Sequence, residues 1–134
     1  MEVGGERVAA IGSGLLVLVG VGHGDGPGDA TRLAAKVARL RVFADAEDRM
    51  NLALTDVGGA ALVVSQFTLY GDVTRGNRPS FVGAAPPEQG AQLVERVAAE
   101  LENMGIPVGR GRFGAHMRVA LVNDGPVTIW IETP

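Results

Sequence analysis

The sequence contains no cysteine, which excludes a disulfide framework and any thiolate metal site and suits a reducing cytosol. It also has no apolar run near the ~18 residues that a membrane-spanning helix requires. The longest such run, Leu15 to Val21, is interrupted by Gly20. No basic stretch leads into an apolar one at the start, so no signal peptide is expected, and the expected location is cytoplasmic with no membrane partner. Positive charge is scarce: 12 Lys and Arg against 15 Asp and Glu leave a net charge of −3. Neutralising many phosphates takes clustered cations, so a broad groove of the DNA-binding kind is excluded and no DNA partner is expected. Any contact with nucleic acid must be small and local. Arginine forms two short clusters, Arg75 with Arg78 and Arg110 with Arg112. No His, Asp and Glu cluster has ligand spacing, so neither a metal nor a cofactor is expected.

What is present is an apolar fraction of 46% in 134 residues, enough for one domain with a real core. Glycine is abundant, at 20 residues, and part of it must serve turns and close backbone approaches. Residues 2–11 read as a strand with mixed faces, followed by a turn at Gly12-Ser13-Gly14. Leu15 to Val21 reads as a buried strand. Asp29 is a plausible N-cap for a helix from about Ala30 to Phe43, with Leu33, Val37 and Leu40 as its buried stripe. Residues 45–55 are polar and irregular. Ala60 to Phe67 reads as a second buried strand, and residues 71–87 as a long arm punctuated by glycine and proline. Such a loop in a compact domain is more often functional than idle. A second helix is expected from about Pro87 to Met104, striped by Leu93, Val97, Leu101 and Met104, with Gly105 just past its end. Strands Met117–Val122 and Val127–Ile131 read as a closing hairpin around Asn123-Asp124-Gly125-Pro126. The order of elements predicts an α/β single domain, with mixed sheets packed against two main helices.

Chemistry is densest at Ser65-Gln66-Phe67-Thr68-Leu69, where a buried strand ends and the arm begins. Two hydroxyls, an amide side chain and free backbone N–H groups lie within this stretch. They suit an ester carbonyl and its developing oxyanion. An ordinary strand end with self-satisfied polar groups is the competing reading. The two histidines, His23 and His116, have no spacing that suggests a Ser–His–acid triad, and His23 reads as a solvated loop residue. A Gly-x-Ser-x-Gly elbow is absent around Ser65. A hydrolase of this kind would lack a strong protein base and suit an activated substrate. Gly125-Pro126 is most simply a tight turn, and a rigid main-chain wall around a small chiral centre is its sharper reading.

Several segments, in order, resemble the D-aminoacyl-tRNA deacylase family: Gly14 to Val21, Met50-Asn51-Leu52, Val63 to Leu69, Arg75 to Phe81, Gly111 to Gly114, and Leu121 to Thr128. Together they cover essentially the whole chain. The resemblance implies a three-layer fold and a homodimer with its active site at the subunit interface. The implied substrate is the 3′ end of D-aminoacyl-tRNA, or of glycyl-tRNA mischarged on tRNA-Ala. The implied reaction is hydrolysis of its ester with rejection of L-aminoacyl-tRNA. The family's Ser-Gln-x-x-Leu motif falls on Ser65, Gln66 and Leu69, with Thr68 in the usual threonine position. Backbone N–H groups near Gln66 and Phe67 are implied to hold the oxyanion, and the substrate's own 2′-hydroxyl to assist. A Gly-cis-Pro motif falls on Gly125-Pro126 and is implied to enter the other subunit's site. Phe113 matches a position near that motif, and Ala85 one near the terminal adenosine.

One departure accompanies the resemblance. Family members usually begin with a further strand carrying Gln-Arg-Val, whose arginine helps fix the Gly-Pro motif. Here Met1 falls after that strand, and the expectation is lower stability and activity than in a longer chain. A misassigned start codon and a genuine variant both account for it. Two other functions remain open on the sequence: an aminoacyl-tRNA binding or editing module with reduced turnover, and a general serine esterase.

Overall fold

The computed structural model describes all residues, 1–134. The centre is a three-stranded parallel sheet, ordered β3–β6–β7, of Gly14–Val19, Ala60–Ser65 and Val108–Arg110. A parallel sheet covered on both faces reads as continuous apolar sequence, and that is how Leu15 to Val19 and Ala60 to Val64 read. The side chains nonetheless divide strictly by strand alternation. Ala61 and Val63 face a core shared with the helices, while Leu62 and Val64 face a second, smaller core.

Helices α1 (Pro27–Arg39) and α2 (Pro87–Asn103) cover the first face and pack on each other. Ala34, Val37, Leu93, Val97 and Leu101 form their buried side with Val63. On the opposite face lies a small antiparallel sheet, β2–β1–β8, of Glu6–Arg7, Glu2–Val3 and Met117–Arg118. Met1, Val8 and Met117 pack there against Leu62 and Val64. A two-stranded hairpin, β4 (Phe43–Ala44) with β5 (Met50–Leu52), fills the return from α1. The result is the expected α/β domain in three layers: helices, parallel sheet, small antiparallel sheet.

The structure corrects several sequence expectations. Residues 2–11 are not one strand: the chain folds back at Gly4–Gly5, both at positive φ, into β1 and β2. Helix α1 begins at Pro27 rather than Ala30, because proline suits a first helical turn. Asp29 is therefore inside the helix, where its carboxylate accepts the Gly26 N–H at 2.8 Å, and the helix ends at Arg39 instead of reaching Phe43. Strand β6 stops at Ser65, and Phe67–Tyr70 forms a 3₁₀ turn. Within 45–55, β5 is regular. Strand β7 was not anticipated; it has three residues with a central glycine and is defined by its pairing with Ala61 to Val63. The closing hairpin is absent. Only Met117–Arg118 pairs, and residues 119–134 run without a ladder partner in this chain.

Candidate active site at the carboxyl end of the parallel sheet

Strands β3 and β6 end side by side, Val19 opposite Ser65. The carboxyl end of a parallel sheet is where loops diverge and leave room for a ligand. Three segments leave from it or return to it here: residues 20–26 after β3, residues 66–71 after β6, and residues 80–86 leading into α2. The arm 71–86 has no helix or strand of its own and is held by a bridge between Asp72 and Ser80.

Ser65 is half-buried at the last position of β6. Gln66 leaves the sheet with its N–H donating to the Val19 carbonyl at 2.8 Å, so this donor is already engaged. Phe67 and Thr68 open the 3₁₀ turn, and the first N–H groups of a helical turn have no acceptor within it. The Gln66 side-chain amide donates to the Thr68 hydroxyl, which orients both groups. Phe67 is exposed and stacks edge-to-face on Phe81, ring centroids 5.0 Å apart. That contact ties the turn to the arm.

Tyr70, which the sequence does not single out, lies at this end of the molecule and is 37% exposed. Its ring lies in a slot walled by glycine. An added Cβ would come within 3.2 Å of the ring at Gly20, 2.8 Å of the hydroxyl at Gly22 and 3.3 Å of the ring at Gly83. Burial, followed by the negative charges of Asp25 and Glu132, pushes the Tyr70 phenol above its ordinary pKa. Asp25 in turn accepts the Gly22 N–H at 2.8 Å. The Gln89 side chain, on the first turn of α2, donates to the Asp25 carbonyl at 2.9 Å and the His23 carbonyl at 3.2 Å. The signal was the pair of glycines at 20 and 22, which reads as a flexible loop but forms part of the seat of an aromatic ring.

His23 is not merely solvated. Its Nε2 lies 2.7 Å from the Val82 carbonyl and links the 20–26 loop to the arm. Ala85 is held by its own N–H, which donates to the Val21 carbonyl at 2.9 Å, so Ala85 does sit beside the end of β3. Phe113 and Ser65 share the wall of a small cavity of about 80 Å³, with Val63, Val94 and Gly111. Arg110 lines the same cavity and is fully committed, with its guanidinium paired to both Glu95 and Glu102 of α2. These carboxylates raise the Arg110 pKa further, and Glu102 is lowered in return. His116 is exposed and makes no hydrogen bond.

The structure therefore brings Ser65, Gln66, Phe67, Thr68, Ala85 and Phe113 to one end of the sheet. It does not bring Gly125–Pro126 there. That pair lies in the exposed, unpaired segment, and a Cβ added at Gly125 would meet only Val127. Its peptide bond is trans, as is every other in the chain, where the resemblance implied cis. With nothing packed on the turn, the ordinary trans preference of about 0.5–1 kcal/mol for an X–Pro bond decides. No group of three or more His, Cys, Asp or Glu side chains is arranged to hold a metal.

The family model described as D-Tyr-tRNA(Tyr) deacylase matches residues 1–132. The D-aminoacyl-tRNA deacylase of Roseiflexus sp. (strain RS-1) is 61% identical over 99% of this chain and 86% of its own length. That of Heliobacterium modesticaldum is 56% identical over 98% of this chain and 88% of its own. Among solved structures, the c-Myc DNA Unwinding Element Binding Protein superposes with a TM-score of 0.92 at 38% identity, covering 99% of this chain and 91% of that one. A probable eukaryotic D-amino acid tRNA deacylase, with a TM-score of 0.67 at 16% identity, shares the fold over 79% of this chain.

Proposed function

Because the chain belongs to the D-Tyr-tRNA(Tyr) deacylase family, we propose that it hydrolyses the ester joining a D-amino acid to the 3′ end of tRNA. The observation that carries this reading is the placement of Ser65 to Thr68. They stand at the carboxyl end of β6, in a chain similar to deacylases along almost its whole length. The aminoacyl carbonyl sits over the start of the 3₁₀ turn. The N–H groups of Phe67 and Thr68 are the donors for the oxyanion, since that of Gln66 is spent on Val19. Fixed donors aimed at developing charge are a large source of rate enhancement. Ser65 and the Gln66–Thr68 pair position the ester, Phe113 closes the side of the pocket, and Ala85 borders the terminal adenosine. Water adds to the carbonyl carbon to give the held oxyanion, and on its collapse the 3′ oxygen leaves with a proton passed through the neighbouring 2′-hydroxyl, releasing the D-amino acid and the free tRNA.

A homodimer completes the site. Residues 119–134 have backbone without a partner strand and expose Val122 at 89% and Trp130 at 64%. Exposed apolar side chains on an unpaired extended segment suit burial against another copy. Gly125–Pro126 of that copy then faces the ester and excludes L-amino acids by main-chain shape, while glycine enters. The setting is cytoplasmic. The test is release of amino acid from D-Tyr-tRNA and L-Tyr-tRNA, with the mass in solution measured alongside. Hydrolysis of the D ester alone, by a species of twice the chain mass, supports the reading. Hydrolysis of both enantiomers, or of neither, removes it.

A second reading, binding to a DNA element, is favoured by the likeness to the c-Myc DNA Unwinding Element Binding Protein. The net charge of −3 weighs against extended DNA contact. Titration with duplex and single-stranded DNA beside tRNA separates the two.

A further inference from the structure

Helix α1 carries a second periodicity beside its buried stripe. Arg32, Lys36 and Arg39 recur at i, i+4 and i+7 on its exposed side, away from Ala34, Val37 and Ala38. With Arg41, Ala35 and Leu40 they line one open groove of about 580 Å³. All four charged side chains in it are cations, and no carboxylate lines it. Arg32 is paired with Asp29, and Arg41 donates to Asn51. Lys36 and Arg39 form none of the ion pairs in the molecule. One third of the 12 Lys and Arg of an acidic chain thus gather at one groove. Cations in a last helical turn also offset the helix dipole, but this does not account for Arg32 near the start of the helix or Arg41 beyond its end.

The position of the groove identifies an occupant. Helix α1 starts beside the loop that seats Tyr70, at the carboxyl end of the sheet, and runs back along β3. Its 13 residues extend about 20 Å at ~1.5 Å per residue, so its last turn lies roughly that far from the loop at its start. A stacked strand advances ~3.4 Å per nucleotide, so this span equals about six nucleotides. Counted from an ester held at Ser65–Thr68, that reaches past the unpaired end of a tRNA to the first pairs of its acceptor stem.

We propose that the groove formed by Arg32, Lys36, Arg39 and Arg41 binds the phosphodiester backbone of the tRNA acceptor stem. The inference rests on the deacylase reading for its substrate. It also suits the charge of the chain, because a single local cluster suffices where a broad basic surface is absent.

The test is the double variant Lys36→Ala/Arg39→Ala, beside a charge-preserving control, Lys36→Arg/Arg39→Lys. Uncharged tRNA is titrated against each protein at several salt concentrations, with urea midpoints measured in parallel. The alanine variant should bind about tenfold more weakly near 0.1 M salt and lose roughly one to two units of salt slope. The control should keep both. On D-Tyr-tRNA the alanine variant should show a KM raised about tenfold with kcat within about twofold. D-tyrosyl-adenosine, which has no stem, should be hydrolysed as by the parent. Unchanged tRNA affinity and salt slope would overturn the proposal. An equal loss on the adenosine ester, tracking a lower urea midpoint, would do so as well and would leave a role in helix stability alone. Equal weakening toward duplex DNA would mark a general polyanion surface and overturn the acceptor-stem assignment. If the parent hydrolyses neither ester, the deacylase reading fails, and the titration of uncharged tRNA still decides the groove.

Discussion

The unit from Gly14 to Arg110 and the segment from Val119 to Pro134 are both rich in apolar residues, yet only the first pairs its backbone internally, while the second rests on the body through side chains such as Val119 and Ile131. In the first, Leu54 and Leu101 are wholly buried, and the strands β3, β6 and β7 find one another. In the second, Leu121 is 59% exposed and Ile129 52% exposed, and no residue belongs to a ladder. Apolar content alone therefore does not make a strand. A strand needs a neighbouring backbone, and only the first region has one within the chain.

The sharpest test of this contrast is a pair of equal truncations. Leu101→Ala, at a site with no exposure, should lower stability by about 3–4 kcal/mol in urea denaturation. Leu121→Ala should leave the dilute chain within about 0.5 kcal/mol of the parent and instead weaken self-association. Similar losses at both positions would mean that Leu121 is buried within the single chain. Close behind stands Gly14→Ala. A Cβ there would lie 1.8 Å from the Ala60 carbonyl oxygen, so β3 and β6 would have to part. A loss of about 3 kcal/mol is expected, and a midpoint equal to the parent's would show that the two strands are not so closely apposed.

Smaller effects fall on function. Pro126→Ala should leave the urea midpoint of the dilute chain nearly unchanged but reduce discrimination between D- and L-Tyr-tRNA by about tenfold, or ~1.4 kcal/mol. Unaltered discrimination would place the chiral wall elsewhere. Acid should act on the first region through exposed carboxylates. The Gly26 N–H holds Asp29 below its ordinary pKa, and the Thr74 N–H does the same for Asp72. A depressed carboxylate contributes stability above its unfolded value near ~4 and loses that contribution as pH falls through its folded value. Urea midpoints should thus be level from about pH 5 to 8 and fall below about pH 4, less steeply in Asp29→Asn. The smallest change is expected for His116→Ala, whose turnover should stay within a few-fold of the parent. A loss of ~10²-fold without unfolding would reveal a general base.

Much of this was legible in the sequence wherever burial has a period. The runs at Leu15 and Ala60 and the stripes through Val37 and Val97 marked the central sheet and both helices. Ser65 to Thr68 was legible as a strand end with concentrated polar groups. Features set by partners far along the chain were not. Strand β7 exists because Val63 offers it an edge, not because Val108-Gly109-Arg110 favours a strand. The Tyr70 slot is made from glycines on two separate loops. The cations of α1 were hidden by their spacing. Arg75 with Arg78 and Arg110 with Arg112 catch the eye as near neighbours, yet Arg110 is consumed by Glu95 and Glu102, while Arg32, Lys36 and Arg39 meet only after the helix winds.

The parallel pairing of β3 with β6 has a further consequence, for the time course of folding. The two strands are separated in the chain by α1 and the β4–β5 hairpin, and parallel strands cannot be joined by a tight turn. The closure of that long loop must precede the contacts that reward it, and topologies of this kind fold slowly. The helices relax in about a microsecond, so helical signal should return well before the near-ultraviolet signature of Tyr70 in its slot. Residues 119–134 should order last, in a phase whose rate rises with protein concentration, because the backbone they need belongs to a second molecule.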